Sequence, residues 1–166
     1  CNLEATTAVG KPAGAAQLLD NPRHAGILAL SGDRRMEVRM DLAQIVICET
    51  RDQQLIVLRE RNGPRVLPIV IGLTEALAID RRVKGVPLQR PMTHDLLANT
   101  IESLSAELER IVINDLQEHT FYAKLILRSH GELIEVDSRP SDAIALGIAN
   151  KVPIYVEEGV LKQVEP

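Results

Sequence analysis

The sequence predicts an α+β fold: a single compact domain whose mixed or antiparallel sheet packs against about three helices. Three observations carry this. Short apolar runs of strand type recur from residue 36 onward, and the first three are joined by connections too short for a crossover. Other stretches place apolar residues at helical spacing, behind Thr74-Glu75, Thr93-His94 and Pro140-Ser141. The order is strands, two helices, more strands, one helix and a strand, with no repeat or low-complexity segment.

Composition narrows the functional classes. A length of 166 residues suits one domain, and 45% hydrophobic with 25% charged residues suits an ordinary globular protein. The aromatics are Phe121, Tyr122 and Tyr155, so the core must be aliphatic and a stacking platform for single strands is disfavoured. A net charge of −4 argues against extended, high-affinity contact with phosphates. Cys1 and Cys48 form neither a disulfide framework nor a zinc-site spacing, and Cys48 reads as a small buried apolar side chain. No apolar run reaches the roughly 18 residues of a membrane span. No membrane partner is expected, and the expected compartment is the cytoplasm.

Residues 1–35 differ from the rest. They are rich in Ala, Gly and Thr, are interrupted by Pro12 and Pro22, and show no strong period, so they are expected to form a poorly ordered extension. No secretory signal is recognisable there. A chain beginning at Cys1 is compatible with a processed lipoprotein; the plainer expectation is a fragment, or a true start near Met36.

From Met36 each element has a local reason. Val38, Met40 and Leu42 alternate into Ile45-Val46-Ile47, a strand to about Thr50. Arg51-Asp52-Gln53 turns the chain into Leu55-Ile56-Val57-Leu58, and Asn62-Gly63-Pro64 turns it again into a strand from Val66 to Gly72. Thr74 is expected to cap a helix that Gly85 stops, and Thr93 a helix to about Leu104 with Leu96, Leu97, Ile101 and Leu104 on one stripe. Strands follow at 108–116, 121–127 and 133–136, joined by turns at Gln117-Glu118-His119 and His130-Gly131. A helix from Pro140 to about Asn150, a strand at 153–156 and a last turn at Val160-Leu161 complete the domain, 36–166.

Clustered polar chemistry lies at helix starts. Arg90, Thr93, His94 and Asp95 form one set: a helix start favours anions, an arginine can clamp phosphate, and a histidine can act as acid, base or ligand. Asp137, Arg139, Ser141 and Asp142 form a second, with Pro140 suited to the first helical position. Each set reads equally well as a structural helix start in which caps and carboxylates answer the dipole. The duplication favours chemistry, because two such starts facing one cleft would gather two cations, a histidine and up to three carboxylates. Glu75 is a third candidate, and a lone Glu there also answers the dipole. Asp137 and Asp142 could together hold Mg²⁺ or Mn²⁺. His119 and His130 read as solvated turn residues, and Arg81, Arg82 and Lys84 as a solvated basic face. No Gly-rich phosphate loop, metalloprotease helix or nucleophile elbow is present.

Five stretches together resemble the bifunctional nuclease domain family. They are Leu67-Pro68-Ile69-Val70-Ile71-Gly72 with Glu75-Ala76, Arg90-Pro91-Met92-Thr93-His94-Asp95-Leu96-Leu97, Phe121-Tyr122-Ala123, Asp137 to Leu146, and Pro153-Ile154-Tyr155-Val156. The resemblance runs from about Met36 to the C-terminus. It implies a compact α+β domain that self-associates, with a homodimer expected, and a nuclease of low specificity on RNA and DNA. Under it Arg90, Thr93, Arg139 and Ser141 hold substrate, His94, Asp95 and Glu75 serve catalysis, and Asp137 and Asp142 hold Mg²⁺ or Mn²⁺. The composition adds that contact with nucleic acid should be weak and non-specific. The competing expectation is a non-catalytic, oligomeric module that binds a small anion or regulates a protein partner.

Overall fold

A computed structural model describes residues 36–48 and 53–164, and the backbone of 4–7. The strands are β1 (Glu4–Thr7), β2 (Glu37–Ile47), β3 (Gln53–Glu60), β4 (Val66–Gly72), β5 (Ala106–Gln117), β6 (Thr120–Ser129), β7 (Glu132–Ser138) and β8 (Ile154–Glu157). The helices are α1 (Leu73–Val83), α2 (Thr93–Ser103), α3 (Pro140–Gly147) and α4 (Glu158–Val164), and a 3-10 turn, Ile148–Asn150, extends α3. The expected extension lies outside the described residues except for β1, which pairs with β2. The expected turn at residues 51–52 also lies outside them.

The fold is α+β, and the meander β2-β3-β4 is antiparallel as the short connections require. Strand order is β4-β3-β2-β8-β5-β6-β7. The late strand β8 inserts at the centre, antiparallel to β2 and parallel to β5, and this makes the sheet mixed. Alternation along the strands gives one core face. Met40, Ile56, Leu58, Leu67, Ile69, Ile111, Ile113, Ala123, Ile154 and Val156 are all at most 4% exposed. Against it pack Ala76 and Ile79 of α1 and the Ala143-Ile144-Ala145-Leu146 run of α3. The aliphatic residues thus supply the core that the scarcity of aromatics demanded. Gly147 lets α3 approach closely, since a Cβ there would lie 2.7 Å from Ile111 Cδ1.

Several local expectations are corrected. Gly72, not Thr74, is the N-cap of α1, because β4 passes directly into the helix without a loop. Met92, not Thr93, caps α2, and Asp95 at the third helical position reaches back to accept the Met92 backbone N–H at 3.0 Å. The α2 stripe does not face the core as a unit: Ile101 is buried, whereas Leu96, Leu97 and Leu104 are 61%, 43% and 68% exposed. The last turn proves to be α4, which buries Val160 and Leu161 and is tied to the β3–β4 hairpin by Arg65, bonded to both Glu60 and Glu158. Cys48 is buried as expected, but its sulfur is disulfide-bonded. Among the described residues, no helix is long and apolar enough to cross a membrane.

Candidate functional site

The core face explains why three helix starts converge. α1 leaves the end of β4, α3 leaves the end of β7, and α2 packs on α3 and β5. Pro140 at the first position of α3 holds Arg139 extended, with φ −72° and ψ 144°, as a residue before proline must be. Arg139 is therefore presented at the mouth of the site instead of being wound into the helix.

Arg139 is the hub. Its Nε and one Nη donate to Asp142 at 2.6 and 3.0 Å, and the other Nη donates to Glu75 Oε1 at 3.0 Å. His94 Nε2 lies 3.4 Å from Asp142 Oδ1. One polar chain thus joins the starts of all three helices. Burial alone would raise the Asp142 carboxyl, but the hydrogen bonds and charge of Arg139, with help from His94, bring it below its ordinary value. Asp142, then Glu75, raise Arg139 in turn. Gly72 makes room for this arrangement, because a Cβ there would collide with the Glu75 carboxylate.

Asp95 does something else. Its oxygens take Arg82 and, at 3.2 Å, Arg81, while a second Arg82 nitrogen donates to the Leu146 carbonyl at 3.1 Å. Burial opposes ionisation of Asp95, but the Met92 N–H, Arg82 and Arg81 together hold it below its ordinary range. The side chain of Arg82 is 5% exposed, so the expected solvated basic face is here a buried brace between α1, α2 and α3. Asp95 belongs to that brace.

The remaining candidates scatter. Arg90 is exposed and lines a small hollow of about 280 Å³ with Arg81 and Asp95, so the two Arg-Pro arginines do not enter one cleft. Thr93 is exposed. Asp137 is registered opposite Lys124, whereas its neighbour Ser138 lies opposite the buried core residue Ala123. Alternation therefore turns Asp137 to the face opposite the helices, away from Asp142. The carboxylate that shares Asp142's surroundings is Glu75, and both are already bonded to one guanidinium. Among the described residues no cluster of three or more His, Cys, Asp or Glu forms a metal cage. This donor set does not fit the expected ion pair of ligands, and no chemical step is assigned to a metal.

Glu75, Arg139 and Ser141 open onto a cleft of about 620 Å³. Its lining also includes β4 from Pro68 to Gly72, and His119 and Phe121 at the β5–β6 turn. β4 and β6 stand five places apart in the sheet, about 24 Å if it were flat. That they line one cleft means the sheet coils until its two halves face each other. His119 is exposed in its turn, as expected, and no local signal could have shown that it also lines this cleft.

A family model for the bifunctional nuclease domain matches residues 56–166. An uncharacterized protein of Mycobacterium tuberculosis is 48% identical over 115 residues, covering 69% of this chain and 68% of that protein. Bifunctional nuclease 2 of Oryza sativa subsp. japonica is 30% identical over 129 residues, 72% of this chain and 40% of the rice protein. Bifunctional nuclease 1 of Arabidopsis thaliana is 25% identical over 107 residues, 62% of this chain and 33% of that protein.

Proposed function

The chain belongs to the bifunctional nuclease domain family, and from that premise we propose that it hydrolyses phosphodiester bonds of RNA and DNA with little sequence specificity. The observation that carries this reading is the polar chain Glu75–Arg139–Asp142–His94 at three converging helix starts. Arg139 keeps 65% of its side chain exposed, so it can exchange the Glu75 contact for a phosphate oxygen. Asp142 orients the His94 imidazole, whose other ring nitrogen accepts a proton from water. The water oxygen bonds to phosphorus, the P–O bond to the sugar breaks with its electron pair on the sugar oxygen, and that oxygen takes a proton from solvent. The net charge of −4 fits weak, salt-sensitive contact with nucleic acid.

Highly purified protein should cleave labelled RNA and DNA, assayed with and without Mg²⁺ or Mn²⁺ because a metal requirement is open to that measurement. Loss of cleavage in both His94→Ala and Asp142→Ala proteins is expected. Full activity in both would sink the assignment.

A second reading has a separate observation behind it. Met92, Leu96, Leu97 and Leu104 of α2 and its flanks, with Leu88 before them, are all more than 40% exposed, an apolar band of the sort that marks an interface. A homodimer through α2 would cover it, and the domain could then serve as an oligomeric anion-binding or regulatory module. Light scattering on Leu96→Lys protein tests this: a dimer should become monomeric, and a monomer in both proteins rejects it.

A further inference from the structure

We propose that the cleft between β4, the β5–β6 turn and the start of α3 binds one nucleoside monophosphate unit, phosphate on Arg139, Ser141 and His119, base on Ile71, Phe121 and Pro140. The choice of a nucleotide over other phosphate monoesters rests on the proposed function; the rest follows from the cleft itself. Its volume of about 620 Å³ is that of a small-molecule site. Its lining combines polar groups, Arg139, Ser141 and His119 with the Glu75 carboxylate that Arg139 already holds, and apolar ones, Ile71, Phe121 and Pro140.

Ser141 gives the strongest indication. It is only 5% exposed, it lines the cleft, and its hydroxyl has no hydrogen-bond partner among the described residues. The hydroxyl oxygen is not among the polar atoms closed off from solvent, so it opens to the cleft, where an anionic oxygen would take the place of water as its partner. Beside it stands Arg139, most of whose side chain is open to solvent. His119, an exposed residue, lines the same cleft, and with Glu118 it adopts left-handed backbone, φ 65° and 46°, at a turn where neither residue is glycine. Hairpin turns of this kind prefer Asn-Gly. Here the second place carries an imidazole on the cleft wall.

Isothermal titration of the whole chain with adenosine monophosphate, inorganic phosphate and adenosine tests this, with amide and methyl NMR shifts mapping the contact. The monophosphate should bind at least about tenfold more tightly than phosphate or adenosine alone, since both ends of the cleft then contribute. Shifts should centre on Ile71, Phe121 and Ser141. Ser141→Ala and His119→Asn should each weaken it by about fivefold or more. Asn tolerates the left-handed turn, so the second variant stays informative should the buried Ser141→Ala fail to fold. Equal affinity for phosphate and the monophosphate, shifts centred elsewhere, or a folded His119→Asn protein that binds as the wild type does would overturn the proposal. RNA cleavage without monophosphate binding removes this pocket and leaves the nuclease reading; binding without cleavage does the reverse.

Discussion

Two arginine–carboxylate groups lie within a few turns of each other and use the same chemistry for different ends. Around Arg82 a guanidinium is withdrawn from water, 5% exposed, and is bonded to Asp95 and a helix-end carbonyl. Around Arg139 the guanidinium bonds two carboxylates yet remains 65% exposed. A buried charge cannot be exchanged cheaply, because removing its partner leaves an ion in low dielectric. An exposed pair is worth little, so a ligand can take it over. Burial, not residue type, separates brace from site.

The largest effect is expected at Arg82. Arg82→Ala should cost about 3 kcal/mol, lowering the unfolding temperature by roughly 6–12 °C in a thermal melt. Asp95→Asn should follow at about 2 kcal/mol, since hydrogen bonds to two charged partners weaken without a cavity. Acid should report both groups. Asp95 and Asp142 lie below their ordinary value of 3.8 in the folded protein. The stability they contribute is present above that value and is lost as pH falls through the lower folded-state values. Denaturation curves between pH 5 and the acid limit should therefore steepen below about pH 4, less so in Asp95→Asn.

Arg139→Ala should reverse the ranking, costing under about 1 kcal/mol of stability. Cleavage, if the proposed activity holds, should drop by about a hundredfold. The smallest effect is expected at Gly72. In Gly72→Ala the Glu75 carboxylate, the far end of a flexible chain, must swing away from Arg139. Stability should change by about 0.5 kcal/mol or less, while the Glu75–Arg139 coupling, measured in a double-mutant cycle, should vanish.

Much of the fold was legible locally. Alternation located β2 to β4, Asn62-Gly63-Pro64 and His130-Gly131 marked real turns, and Pro140 marked the start of α3. The candidate site was legible in part. Glu75, His94, Arg139 and Asp142 were singled out by their place at helix starts, and they do form one polar chain. Asp95 was singled out on the same grounds and belongs to the brace, because nothing in its own segment reveals that Arg82, 13 residues earlier in α1, is buried beside it. Asp137 failed through parity, since one residue along a strand decides the face. The α2 stripe was read correctly as amphipathic, but period alone does not say whether the apolar side meets this chain or another.

By itself the sequence determined the elements, the aliphatic core and the family to which the chain belongs, because these depend on side-chain period and short motifs. Only the tertiary structure decided that β8 enters the middle of the sheet and that the sheet coils. It also decided which arginine is buried and that His119 and Ser141 line one cleft. Those outcomes depend on contacts between residues far apart in the chain, where no local preference operates.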